Sequence, residues 1–540
     1  MLERCGIGLC LVALTFATGT AASAAPRRTR SVPPLPPTLL PGDLAAAAAP
    51  SDQRTWLVGA VDGKATRSLA KRFGAVRLLR RAAVFQVRRE RARAFAGALK
   101  ERELYSFSEP NRLTYRTAFP ADPLSGSQWG PAALGLLSLT PPPPGLNEST
   151  IGIIEDGIDL SRPEWGGGAV RVLGTPSPDD HGTEVASVAA APFNGVGIVG
   201  VWPGAHIVVS VPRDGTCGSV ARAIDRAVND SATVLNMSYG FYGRGRCYAH
   251  YLATTYAFAE GVILVAAAGN DFAGRKSASI QPAGDPHTLT VGALAPGDKS
   301  PAFSNANDAV DLAAPGVNVL AATPPAFGDD GTVDGYKLVH GTSFSAPAVA
   351  AGAAWVQAVR PSLSTTQLHD LLRYSARDIG PRGWDPYFGF GVFDASRALR
   401  ARPPFRDPSE PNDDINWVDG RNITEDLVWG GHGRRTVLAT LDQYEDPIDV
   451  YRIEVPGRVR FRITLRPVYG DPDVQFYAGE ARTVYRKRGL VIGSYRRGRR
   501  IDEVIVNKHR RGAEEAYVVV YPKVRSALAA GYRLTLTRLR

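Results

Sequence analysis

Four short stretches of the sequence carry side chains suited to acyl transfer. Ile151-Gly152-Ile153-Ile154-Glu155-Asp156-Gly157-Ile158-Asp159 is an apolar run that ends in acidic residues, and His181-Gly182-Thr183-Glu184-Val185-Ala186 sets a histidine at the opening of a helical pattern. Ala267-Ala268-Gly269-Asn270 closes a second apolar run, and Gly341-Thr342-Ser343-Phe344-Ser345-Ala346-Pro347 is a small-residue turn entering a helix. Moving an acyl group to water needs a hydroxyl activated by a base, a carboxylate that orients the base, and donors for the developing oxyanion. In that scheme Ser343 attacks the carbonyl, and His181 takes its proton and returns it to the leaving amine. Glu155 or Asp156 fixes the imidazole tautomer, and Asn270 donates a side-chain N–H to the oxyanion. A serine at a helix N-terminus also meets backbone N–H groups that favour negative charge.

The elements that must position these residues can be read from the pattern. Ile151 to Ile154, Ile207 to Val211, Val234 to Met237 and Val262 to Val265 read as strands buried on both faces, and Val220 to Asn229 and Ala346 to Ala358 read as helices. Such alternation predicts a parallel sheet in a three-layer α/β fold, with its active site beyond the carboxyl ends of the strands. Before it, Trp56-Leu57-Val58 and Ala83 to Val87 read as strands of a small α+β unit with Arg- and Ala-rich helices. After Asp407, alternating runs such as Val450 to Val455 and Tyr517 to Tyr521 predict a separate antiparallel β-sandwich.

The chain of 540 residues is long enough for several folded units, and its 44% hydrophobic content is that of a globular protein. Its formal net charge is +11, spread mainly as arginine. No base-reading or aromatic-stacking motif accompanies that charge, so no nucleic-acid partner is expected. The Arg-rich stretch from Arg486 to Arg500 reads as a solvated face. Arg4, the apolar run Ile7 to Thr18 and Ala22-Ser23-Ala24 form a secretory signal peptide, and no stretch is apolar enough for a transmembrane segment. Cys5 and Cys10 leave with the signal, and Cys217 and Cys247 remain as an even pair. One disulfide suits an oxidising compartment, and two separate buried thiols are the alternative.

Across about residues 122–400 the sequence resembles the subtilase (subtilisin-like serine protease) family. The resemblance rests on the four motifs above in the order acid, histidine, serine. It rests also on Asp122-Pro123-Leu124 with Gln128-Trp129-Gly130, on Asn194 to Pro203, on Asn236-Met237-Ser238-Tyr239-Gly240, and on Phe303-Ser304-Asn305 and Ala314-Pro315-Gly316. It implies a secreted or cell-envelope, autoprocessed endopeptidase that takes polypeptide substrates extended beside Ser238, Tyr239 and Gly240. No cofactor is required by the resemblance. Structural calcium is compatible with it, although Asp329-Asp330 and Asp413-Asp414 read as solvated acidic loops and no metal ligand is assigned.

In this alignment the family's aspartate falls on Glu155, with Asp156 next to it. Glu184 and Phe344 stand where histidine and methionine are common. A catalytically impaired subtilase that binds peptides or surfaces is the rival expectation.

The implied layout is a signal peptide at 1–25, a Pro/Ala-rich linker at 26–50 and a propeptide-like domain at 51–118 that inhibits its own enzyme. A peptidase domain follows at 119–402, and 410–540 resembles a bacterial pre-peptidase C-terminal β-sandwich. That last likeness rests on Glu410-Pro411-Asn412-Asp413, Asp449-Val450-Tyr451 and Asp471-Pro472-Asp473-Val474.

Overall fold

The computed structural model describes residues 51–539 apart from 80–82, 113–118, 120, 167–169, 176, 242–245, 272–279, 326–334, 408, 421–422, 424–426, 443–444, 510 and 524–528. The expected signal peptide, the linker and Asp329-Asp330 lie outside the described residues. The first unit is an antiparallel sheet of β1 (Ser51–Ala60), β2 (Val76–Arg77), β3 (Val84–Arg88) and β4 (Tyr105–Arg112) in the order β2-β3-β1-β4. Two helices, α1 (Arg67–Phe73) and α2 (Arg89–Lys100), cover it, and Val58, Phe85, Val87, Phe95 and Leu99 form its core.

The second unit begins with the short α3 (Gly130–Ala133) and is built on a parallel sheet. Its strands are β5 (Thr150–Ile154), β6 (Val170–Leu173), β7 (His206–Ser210), β8 (Val234–Met237), β9 (Ile263–Ala267), β10 (Thr288–Leu294) and β11 (Leu312–Pro315), in the order β11-β10-β9-β8-β5-β7-β6. Side chains alternate across this sheet, as the two-residue period of a strand requires. Ile263, Val265 and Val234 pack in one core with α4 (Asp180–Ala190) and α7 (Thr342–Val359). Leu264, Ala266 and Leu235 pack in the other with α5 (Cys217–Asn229) and α6 (Tyr248–Ala259). The Ala-rich sequence of α7 keeps the helix narrow enough to lie buried along nearly its whole length. A hairpin of β12 (Val319–Ala322) and β13 (Tyr336–Val339) lies against α4, and α8 (Thr365–Tyr374) and α9 (Ala395–Arg400) complete the unit.

Cys217, the first residue of α5, is bridged to Cys247, the N-cap of α6, with a Cα–Cα separation of 6.2 Å. The bridge decides between the two states left open for this pair. It joins the two helices that flank β8, whose C-terminal extension is Ser238-Tyr239-Gly240. Closing a loop of 30 residues withdraws about 3–4 kcal/mol of entropy from the unfolded chain in the loop-closure picture.

The third unit follows α10 (Ile415–Val418) and is a sandwich of two four-stranded antiparallel sheets. One has the order β14-β21-β16-β19, with β14 (Arg434–Asp442), β16 (Arg460–Tyr469), β19 (Asp502–Asn507) and β21 (Ala529–Leu539). The other has the order β15-β20-β17-β18, with β15 (Asp449–Val455), β17 (Pro472–Ala478), β18 (Leu490–Ser494) and β20 (Glu514–Pro522). Phe461, Ile463, Leu465, Leu534 and Leu536 from the first sheet meet Ile453, Val474, Phe476, Val518 and Val520 from the second.

The expectation of a solvated loop fails at Asp413-Asp414. Asp413 is fully buried and Asp414 is 5% exposed. Asp413 accepts from His287 of the parallel-sheet unit, and Asp414 caps α10. The loop is polar in sequence but is sandwiched between two units, which local composition does not reveal.

Candidate functional site

The chemistry-bearing stretches converge at the carboxyl end of the parallel sheet. Glu155 directly follows β5, and Ala268-Gly269-Asn270 directly follows β9. His181 lies in the first turn of α4, where the Asp179 side chain accepts from Gly182 N at 2.6 Å and caps the helix. Ser343 is the second residue of α7. The chain turns into that helix through Gly341, whose φ of 147° L side chains rarely adopt.

Nδ1 of His181 lies 3.0 Å from Oε2 of Glu155, and Glu155 is 8% exposed. Asp156, the other expected carboxylate, is exposed and forms no hydrogen bond or ion pair with His181, while its main-chain carbonyl accepts from Ser177 Oγ at 3.0 Å. Because an ionised carboxylate only accepts, the contact places the proton on Nδ1 and leaves the Nε2 lone pair of the neutral ring for chemistry. The Phe344 ring packs beside His181 with centroids 5.8 Å apart.

Burial works to lower the His181 pKa. The Glu155 charge and hydrogen bond outweigh it, Glu184 and Asp179 add to them, and together they push it up to about 9. Burial pushes the Glu155 carboxyl up, and the His181 charge and hydrogen bond pull it only part of the way back. An imidazole held this way favours its protonated form. The acidic limb of kcat/KM on a chromogenic peptide is therefore expected near pH 9, with activity rising as pH increases through it. Glu155→Gln removes the charge that raises the pKa and is expected to move that limb toward or below 6.5. A wild-type limb already below 6.5 would contradict this.

Ser343 and Ser238 exchange two hydrogen bonds. Ser238 Oγ donates to the Ser343 carbonyl at 2.8 Å, and Ser343 Oγ donates to the Ser238 carbonyl at 3.3 Å. The first follows from sequence, because the residue four positions along α7 is Pro347, which has no N–H to offer the Ser343 carbonyl. Asn236 Nδ2 donates to Ser238 Oγ at 3.0 Å and fixes that hydroxyl. Ser343 Oγ forms its hydrogen bond to the Ser238 carbonyl rather than to His181.

Asn270 is exposed, and its Oδ1 accepts from Thr342 N at 2.9 Å and Thr342 Oγ1 at 3.0 Å. A backbone N–H can only donate, so these contacts fix the amide with its oxygen on Thr342 and its Nδ2 free to donate elsewhere. Asn305 and Thr342 hold this loop. Asn305 Nδ2 donates to Ala268 O at 2.9 Å, Asp271 N donates to Asn305 Oδ1 at 2.9 Å, and Thr342 Oγ1 accepts from Gly269 N at 3.1 Å. Their signal in the sequence is a small polar side chain within a turn-like stretch, Ser304-Asn305 and Gly341-Thr342, where buried main-chain groups need partners.

Of the residues expected to line substrate, Ser238 is tied to Ser343 as described. Tyr239 turns its hydroxyl onto His250 Nε2 at 2.9 Å, and Gly240 packs beside Ile280. Glu184 is buried on α4 and pairs with Lys337 of β13 at 2.6 Å and with Thr323 Oγ1 at 2.9 Å.

The subtilase family (Peptidase_S8) matches residues 147–391. Subtilisin Savinase of Lederbergia lenta is 32% identical over 259 residues, 46% of this chain and 90% of that protein. The chain belongs to the subtilase family. Subtilisin amylosacchariticus of Bacillus subtilis subsp. amylosacchariticus is 31% identical over 261 residues, and this chain spans 65% of its length. Among solved structures, fervidolysin from Fervidobacterium pennivorans aligns over 83% of this subtilase and 84% of its own chain at 19% identity, with a TM-score of 0.46. Among the described residues of the subtilase, no helix is long and apolar enough to cross a membrane.

Proposed function

We propose that this subtilase is a secreted serine endopeptidase that matures by cutting its own chain. The observation that carries the reading is the buried Glu155 carboxylate on His181 Nδ1, in a site that also holds Ser343 and Asn270. Ser343 Oγ attacks the carbonyl carbon of the substrate peptide as neutral His181 accepts its proton on Nε2. Glu155 stabilises the imidazolium so formed, and Asn270 Nδ2 donates to the oxyanion. Protonated His181 then delivers its proton to the departing amine, leaving an acyl-enzyme on Ser343. Water attacks that ester in the same geometry and regenerates the hydroxyl. The polypeptide lies extended along Ser238-Tyr239-Gly240.

Residues 1–25 direct export, 51–118 act as an inhibitory propeptide, 119–402 carry the catalysis and 410–540 form a pre-peptidase C-terminal-like domain. The small α+β sheet ending in β4 and the eight-stranded sandwich support that division. The test is the intact mass of the secreted protein beside Ser343→Ala, each with and without a fluorophosphonate probe. Wild type is expected to lose about the first 115 residues and to take one probe, and Ser343→Ala to do neither. A folded wild type that stays whole and unlabelled would sink the reading.

A further inference from the structure

The two outer faces of the C-terminal sandwich differ in character. On the β15-β20-β17-β18 sheet, Val450, Tyr517 and Val519 point outward and pack with Trp417 of α10 and Tyr251 of α6. On the β14-β21-β16-β19 sheet, Val437, Phe461, Ile463, Leu534 and Leu536 point into the core. The residues between them therefore face outward, as the two-residue period of a strand requires. Strand pairing sets these outward residues in three rows. Arg434, Thr537 and Arg462 form the first, Thr436, Thr535 and Thr464 the second, and Leu438, Arg533 and Arg466 the third. A row of hydroxyls thus runs between two rows of guanidinium groups, with about 7 Å from row to row. Arg434, Arg466 and Arg533 are exposed in the whole chain, so no other unit covers them. Among the described residues none of these three forms an ion pair, and the acid beside the rows, Glu503 of β19, pairs with Arg462 at 3.5 Å. Arg466 and Arg533 stand directly opposite each other, and like charges so placed destabilise a sheet. Arg434, Arg462, Arg466 and Arg533 wall a groove of about 530 Å³, with Thr464, Thr535 and Thr537 between them.

We propose that this arginine and threonine face binds an acidic polysaccharide, a sugar polymer that carries carboxylates or sulfate esters. Guanidinium groups take such anions through paired N–H donors in a fixed plane. The threonine hydroxyls between them both donate and accept, which suits the sugar hydroxyls that flank each anion. A single-stranded nucleic acid is held by aromatic rings under its bases, and no residue of the three rows is aromatic. A lipid surface needs an apolar anchor beside the basic groups, and the apolar residue of the rows, Leu438, is half-buried. The charge of the polymer offsets the repulsion between Arg466 and Arg533. Because Tyr251 of α6 docks on the opposite sheet, the polymer and the parallel-sheet unit occupy different faces of the sandwich.

The test uses the full Ser343→Ala chain, which keeps self-digestion out of the assay, so its outcome does not depend on the protease reading. Fluorescein-labelled heparin and polygalacturonate, one sulfated and one carboxylated, are titrated and followed by anisotropy. Saturable binding that weakens with salt is expected for at least one of them, and the tighter of the two identifies the anion. Changing Arg434→Gln, Arg466→Gln and Arg533→Gln together is expected to weaken that binding at least about 10-fold and to flatten its salt dependence. Its Tm is expected to stay level or rise, because the Arg466 and Arg533 charges no longer oppose each other. Arg466→Gln alone serves if the triple variant does not fold. The control removes equal charge from exposed positions of α2, as Arg89→Gln, Arg91→Gln and Arg93→Gln. It is expected to bind within about two-fold of the parent, since screened charges act locally. Equal losses in the two triple variants would make binding a property of net charge and overturn the proposal. So would an absence of binding to both polymers, or equal binding of neutral dextran. Tighter binding of single-stranded DNA or of phosphatidylglycerol vesicles would assign the face to another partner and overturn it too.

Discussion

Glu155→Gln is expected to lower kcat by about 10⁴-fold, close to the loss that follows removal of the triad acid alone in a subtilisin. The substitution keeps the side-chain length and an oxygen near His181 Nδ1, but the amide has no charge to stabilise the imidazolium. It can also turn its NH₂ toward the ring and select the wrong tautomer. Asp156→Ala, at an exposed carboxylate that forms no pair with His181, is expected to leave kcat within a few-fold of wild type. Steady-state kinetics of both variants on one peptide substrate separates the neighbours. Equal losses, or the larger loss in Asp156→Ala, would reassign the acid and require a different register after β5. Glu155→Asp adds information of another kind. It retains the charge one methylene further from the ring, and a displacement of about 1 Å can cost roughly 10²-fold.

Asn270→Ala is expected to cost about 10²–10³-fold in kcat with little change in KM, the size measured for deleting one oxyanion donor in this family. The reason for the split is that Nδ2 meets the oxygen strongly only once it carries charge. Because Oδ1 also accepts from Thr342 N and Oγ1, the variant loses two contacts at the start of α7. Thermal unfolding is measured beside the kinetics for that reason, and Thr342→Ala is the control. It removes the hydroxyl's contacts to Asn270 Oδ1 and Gly269 N but keeps both the backbone donor and the Asn270 amide, so its kcat should fall much less. A rise in KM with unchanged kcat in Asn270→Ala would instead make this residue a ground-state contact.

The two predictions differ in how far the sequence alone could support them. Asn270 and His181 are marked by local grammar, an Ala-Ala-Gly-Asn stretch closing a buried strand and a histidine opening a helix. Ser343 is marked by the small-residue turn before an Ala-rich run, and Pro347 four residues on explains why its carbonyl is open to Ser238. The parallel sheet was legible for a similar reason. Strands such as Ile263–Ala267 are apolar on both faces, which only a sheet covered on both sides tolerates. Each of these signals lies within a single segment.

Other features depended on which segments met. Glu155 and Asp156 are adjacent, and neighbours at a strand end point in opposite directions, so the orientation of β5 against α4 decided which carboxylate faces His181. Cys217 and Cys247 could be free or bridged until α5 and α6 brought their Cα atoms to 6.2 Å. Tyr239 reads as a residue of the cleft, yet His250, on a helix reached after the bridge, draws its hydroxyl away. Asp407, Glu410, Asp446 and Asp449 come from two segments of the sequence, and only the tertiary fold gathers one oxygen of each within 4.8 Å of the others. The sequence by itself determined the strands, the helices and the residue types with reactive groups, because their causes are short-range periodicity and local hydrogen bonding. The tertiary structure decided the partners of each charge, because electrostatics in a protein depends on burial and distance between segments far apart in the chain.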